Sequence, residues 1–182
     1  LLNPFIPHIS EELWSMIKCK GFASLQKWPS YDESKIDKEA EALEEVLETT
    51  KKDIYSVIGL AKIEKPSRIR IFVAEAWKYD FIRKLKKGLE KTRNVGEIIK
   101  GFAKSDLGIY IKEISKIVPR LVKDETKLPK IVIDRKKEAE ALKSSLDSFK
   151  DEFKCDVEII DGKSDEQKAK QAMPGKVAIL IE

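Results

Sequence analysis

The chain has 182 residues, 42% of them hydrophobic and 37% charged, with a net charge of +4. That length holds one good core or two small ones, and the composition is that of a soluble, folded protein with a charge-heavy surface. No run approaches the ~18 apolar residues that a membrane helix needs, and the two cysteines, Cys19 and Cys155, have neither metal-type spacing nor the number for a disulfide framework, which points to the cytosol.

The chain opens with LLNPFIPHISEELW. Pro4 and Pro7 fix the backbone and bias Asn3 and Ile6 away from helical dihedrals, so one helix should end near Asn3. Ser10 is placed to cap a new helix, with Glu11 and Glu12 in its first turn, where the positive end of the dipole favours acids. Leu13, Trp14 and Ile17, with Met16, supply its apolar face, and Phe5, Ile6 and Ile9 clamp the proline corner. His8, the only histidine, reads as a packing or capping residue, because no second histidine or nearby cysteine completes a site. The opening lies in what reads as the middle of a domain, so the chain is expected to be the C-terminal part of a longer protein.

Residues 18–34 form a connection with Gly21 and Pro29 as turn formers, and Trp28–Pro29 should pack back on the bundle. Over 36–62, Ile36, Ala40, Leu43, Leu47, Ile54 and Ala61 recur at steps of three and four, which predicts a long helix. Pro66 should stop it, placing a domain boundary at 63–67. RIRIFVA then alternates, with Ile69, Ile71 and Val73 on one face, as a strand does. Three helices follow, through Trp77, Phe81, Leu85 and Leu89, through Val95, Ile98, Ile99 and Phe102, and through Leu107 to Leu121. Pro119 should kink or end the last of them. KIVI at 130–133 predicts a short buried strand, 134–153 an amphipathic helix, DVEIID a strand, 163–173 a short helix, and KVAILIE a closing strand. The fold class is therefore α+β: the end of a helical bundle (1–64), then a small mixed-sheet α/β domain (67–182) of about four short strands packed with helices. Helices between the late strands permit partly parallel pairing.

The charge is unevenly distributed. Residues 32–48 carry eight acids against two lysines, whereas 78–104 carry nine Lys or Arg against three acids. The second block is a candidate footprint for a polyanion; the bland alternative is a solvated lysine-rich helix face. No Gly-rich phosphate loop, paired catalytic carboxylates, Ser/His or Cys/His constellation or metal-ligand cluster is present.

The opening string resembles the anticodon-binding helical bundle of class I aminoacyl-tRNA synthetases of the leucyl, isoleucyl and valyl group. The pattern there is an apolar pair, Pro-Phe, Pro-His, Ser or Thr, then Glu-Glu-Leu-Trp. It stands here as Leu1, Leu2, Pro4, Phe5, Pro7, His8, Ser10, Glu11, Glu12, Leu13 and Trp14. The tail lacks the cysteine-rich module common in isoleucyl enzymes and the helical hairpin common in valyl ones. A bundle ending at a proline, then RIRIFVAEAWKY, then an extension closing in MPGKVAILIE, resembles leucyl-tRNA synthetases of the archaeal and eukaryotic cytosolic type.

The resemblance implies a non-catalytic portion of a leucine--tRNA ligase, since His-Ile-Gly-His and Lys-Met-Ser-Lys type signatures are missing. It implies no cofactor here, with ATP and magnesium belonging to the parent protein. It implies tRNA as partner, a leucine tRNA by the leucyl resemblance, together with the remainder of the synthetase chain, and neither membrane nor DNA. The tRNA body and its long variable arm should be held by Arg83, Lys84, Lys86, Lys87, Lys91, Arg93, Lys100 and Lys104, which neutralise phosphates. The terminal Lys176, Ile179 and Ile181 should offer backbone groups of an edge strand to unstacked bases. The alternatives are a protein-interaction appendage that docks another protein through the acidic face or a sheet edge, and an unrelated DNA-binding module. The second would need Asn, Gln or Arg aimed at base edges, which the lysine-dominated segment lacks.

Overall fold

The computed structural model describes residues 2–63, 65–161 and 166–182. They fall into two compact units, Leu1–Asp37 and Lys38–Glu182. The division precedes the long helix, whereas the sequence pattern suggests a boundary after it.

In the first unit, helix α1 spans Pro7–Met16 and starts three residues before Ser10. Pro7 occupies its first turn, where a fixed φ is pre-organised for a helix and a missing N–H needs no partner. Ser10 is therefore inside the helix, its amide donating to the Ile6 carbonyl at 3.0 Å, and it does not cap. The polar work falls to Glu11. Its carboxylate accepts the amides of Ala23 and Ser24, each at 2.8 Å, and the Asn3 side-chain amide at 3.2 Å. These bonds cap the 3-10 turn Ala23–Leu25 and hold Glu11 below the usual carboxylate range, the Ser24 amide contributing most. Trp14 Nε1 donates to the Lys20 carbonyl at 3.4 Å. His8 is exposed, and Trp28 is 69% exposed, so neither is the packed residue that the sequence suggests. No described residue of this unit is buried.

The second unit begins with helix α2, Lys38–Ala61. It ends before Pro66: Lys62 turns left-handed (φ 52°), and the Ile63 amide closes on the Ile58 carbonyl at 3.2 Å. Strand β1, Arg68–Phe72, is the centre of a three-stranded sheet of order β2-β1-β3. It pairs parallel with β2 (Asp156–Ile160) and antiparallel with β3 (Ala178–Ile181). The mixed pairing agrees with the sequence pattern. Ile69, Ile71 and Val73 bury one face of the sheet against Ile54 of α2, Leu142 of α6 (Arg135–Ser144) and Phe149 of α7 (Leu146–Phe153). On the other face, Phe72 and Ala74 meet Tyr79, Ala169, Ala172 and Ala178. A separate helical core joins Trp77, Phe81 and Leu85 of α3 (Ala76–Leu89), Ile98 and Phe102 of α4 (Val95–Ala103) and Ile114, Val118 and Leu121 of α5 (Ile111–Lys123).

Four features differ from the sequence pattern. Residues 130–133 pair with no strand, so the described sheet has three strands and not four. The carbonyls of Pro129 and Lys130 are instead taken by the Lys86 ammonium at 2.9 and 2.6 Å. The helix over 134–153 breaks at Ser145 into α6 and α7. Helix α5 continues through Pro119 to Lys123. Of the helix suggested over 163–173, residues 163–165 lie outside the described residues, and the rest is a single 3-10 turn, Ala169–Gln171.

Candidate nucleic-acid interface

Helix α3 buries Trp77, Phe81, Ile82 and Leu85 and leaves Arg83, Lys84 and Lys87 exposed. Asn94 caps α4 by accepting the amides of Gly96 and Glu97 at 2.9 and 3.3 Å, which sets α4 beside α3 after a short turn. The two helices line a groove of about 270 Å³. Lys84, Gly88 and Lys91 form one side, Ile98, Gly101 and Phe102 the other.

The cations differ in availability. Arg83 pairs with Asp80 at 3.2 Å, Lys84 with Asp106 at 3.6 Å and Arg93 with Glu125 at 3.1 Å. Lys86 is half-buried and engaged by the two carbonyls described above. Lys87, Lys91, Lys100 and Lys104 are exposed and form no ion pair among the described residues. Only Lys84 and Lys91 of the eight line the groove.

The terminal strand is a second surface. Strand β3 lies at one edge of the sheet. Glu182 and Arg68 exchange both main-chain hydrogen bonds, at 2.9 and 3.2 Å. In an antiparallel pair such exchanges fall on every second residue. In the register Arg70↔Leu180 and Ile71↔Ile179, this gives Leu180 to β1 and turns the N–H and C=O of Ile179 and Ile181 to the open side. The Ile179 side chain is buried and the Ile181 side chain half-buried in the sheet cluster, so only their main chain faces outward. Lys176 is exposed at the head of this strand, in the turn Met173–Lys176 that its own amide and carbonyl close with Met173, both at 2.8 Å.

Three buried polar residues escape the sequence reading. Lys78 is 0% exposed, and its ammonium donates to the carbonyls of Lys170 and Ala172 at 2.7 and 2.8 Å. Burial lowers its pKa, against the opposing pull of Glu75 and Glu113. Glu138 is 1% exposed, accepts the Gly175 amide at 3.2 Å, and is pushed up by burial. The Tyr79 hydroxyl makes no hydrogen bond of standard geometry; burial first, then the Glu138 charge, raises its pKa. A signal was present in the sequence. Lys78 falls on the same helical stripe as Phe81, Ile82 and Leu85, and Glu138 falls four residues before Leu142, so both polar residues interrupt apolar faces.

Residues 1–105 match the family model described as the anticodon-binding domain of tRNA ligase. The chain belongs to that family. The match takes in α1 through α4, and therefore the groove, but not β3. Leucine--tRNA ligases of Pyrococcus horikoshii, Pyrococcus furiosus and Methanocaldococcus jannaschii are similar to it at 35%, 36% and 34% identity. Each alignment covers 100% of this chain and 18% of the relative, so the chain spans less than a fifth of the length of these curated relatives. Among the described residues no group of three His, Cys, Asp or Glu side chains is placed to hold a metal ion, and no helix is long and apolar enough to cross a membrane.

Proposed function

We propose that this chain is the RNA-holding portion of a leucine--tRNA ligase, gripping tRNA by its phosphates with α3 and α4 and reading bases of a leucine tRNA's long variable arm with the outer edge of β3. The observation that carries the reading is the pairing of two different surfaces in one unit. One offers unpaired lysines without base-reading side chains; the other offers main-chain donors and acceptors on an open edge. The first suits a phosphate backbone, which carries no sequence information. The second suits unstacked bases, whose edges accept and donate like a neighbouring strand. Similarity over the whole chain to leucine--tRNA ligases supports the assignment. Amino-acid activation, with ATP and magnesium, is assigned to parts of the ligase outside this chain. The exposed apolar side chains of Leu1–Asp37, Phe5, Met16, Leu25 and Trp28 among them, are assigned to contact with the remainder of that protein.

The test is binding of a leucine tRNA, and of the same tRNA without its long variable arm, across a salt series. The expected result is weaker binding of the arm-deleted RNA. If the four unpaired lysines each neutralise a phosphate, the slope of log K against log salt is about −3. Equal binding of both RNAs rejects the arm-reading role, and no binding at low salt rejects the RNA-holding role altogether.

A further inference from the structure

We infer that Lys78 and Glu138 are positioning residues that set the RNA-facing edge of β3, and so govern discrimination among tRNAs and not affinity for the phosphate backbone. The inference rests on the edge-strand reading above. The two residues come from different helices, α3 and α6, and both act on the segment that delivers β3. The Lys78 ammonium holds the carbonyls of Lys170 and Ala172, and the Glu138 carboxylate holds the amide of Gly175. Gly175 is the left-handed residue (φ 77°) of the turn Met173–Lys176, and β3 starts two residues after that turn. The strand's direction and register are therefore fixed by a buried cation on one side of the turn and a buried anion within it.

Neither charge forms an ion pair with the other or with any described residue. The Lys78 ammonium donates to two main-chain carbonyls and lies 5.7 Å from the centre of the Trp77 ring, and the Glu138 carboxylate accepts a main-chain amide beside the Tyr79 hydroxyl. Burying an unpaired charge is costly, and apolar side chains of similar volume would fill the same space at lower cost. What hydrogen-bonding groups add is direction. An ammonium between two carbonyls and a carboxylate on one amide fix a backbone to a few tenths of an ångström, as reading by main-chain groups demands. Because Lys78 sits on α3, the same helix carries phosphate-facing lysines on one side and anchors the base-facing strand from the other.

The experiment uses the intact protein that carries this chain, with Lys78→Met, Glu138→Leu and Glu138→Gln. The readout is the ratio of Kd for arm-deleted and complete leucine tRNA at fixed salt, with the salt slope of the arm-deleted RNA as control. Lys78→Met and Glu138→Leu are expected to bring the ratio down about tenfold, the size of one or two lost hydrogen bonds. Binding of arm-deleted RNA and its slope stay unchanged. Glu138→Gln keeps an acceptor for the Gly175 amide and keeps the ratio. If either buried-charge variant fails to fold, Gly175→Ala shifts the same turn without touching a buried charge, since its Cβ would meet Pro129 Cβ at 3.3 Å in a left-handed backbone. A ratio unchanged in Lys78→Met and Glu138→Leu overturns the inference and leaves the edge-strand reading intact. An equal loss for both RNAs also overturns it, because that is a merely structural role. A wild-type ratio of one overturns the edge-strand reading and the inference with it.

Discussion

Between Leu2 and Asp37 no described residue is buried, whereas from Lys38 onward three apolar clusters hold the chain. The first unit contains the most recognisable motif of the sequence, and the second is read mainly from its periodicity. The comparison separates two ways in which residues fix a fold. The SEELW stretch is held by polar bonds: Glu11 gathers two loop amides and a side-chain amide, and Trp14 reaches the Lys20 carbonyl. Such a corner tolerates few substitutions, because each donor and acceptor has a fixed place. Most of the sheet and helix positions of the second unit need only apolar side chains of suitable volume at suitable spacing.

Substitutions that break this contrast should order themselves by burial. The largest effect is expected in the sheet cluster: Phe149→Ala should destabilise the second unit by about 3–5 kcal/mol, measured by denaturant or thermal unfolding. Glu138→Ala should cost about 1–3 kcal/mol by leaving the Gly175 amide without its acceptor. The pH dependence sharpens that prediction. Glu138 has its folded-state pKa raised by burial, so its ionisation opposes folding. The contribution is fully favourable below the ordinary carboxylate pKa and is lost as pH rises through the raised one. Glu138→Gln should remove that fall in stability, and a fall that persists in the variant rejects Glu138 as its source.

Smaller effects belong to the surface. Lys87→Ala combined with Lys100→Ala should leave unfolding unchanged and flatten the salt slope of tRNA binding by about 2, whereas Lys86→Ala should loosen residues 129–130 and leave the slope alone. In the first unit, Glu11→Ala should speed amide exchange at Ala23 and Ser24 without moving the unfolding of the second unit. Glu11 works in the opposite sense from Glu138. Its pKa is lowered, so its contribution is present above the ordinary carboxylate value and disappears as pH falls through the lower one. The smallest change is expected at Phe5, 83% exposed: Phe5→Ala should shift the stability of this chain by no more than about 0.5 kcal/mol. A loss of several-fold greater size in the intact protein would show that another part of the molecule covers Phe5.

What the sequence alone determined was the existence and type of the long periodic elements. Alternation at Ile69, Ile71 and Val73 and the three-to-four spacing of α2 through α5 follow from which face of each element meets water. The helices between strands were enough to anticipate some parallel pairing in the sheet. The basic run at 83–104 was also legible as charge, but not which charges remain free. Lys86 reads like its neighbours in sequence and Lys78 only as an interruption of an apolar stripe, and the packed structure alone engages one on the carbonyls of residues 129–130 and the other on those of 170 and 172. The same packing leaves 130–133 outside the sheet, with the Lys130 carbonyl taken by a side chain and not by a neighbouring strand. It also decided which alternate main-chain groups of β3 face outward, since a register is a relation between two segments more than a hundred residues apart in sequence and no single segment encodes it.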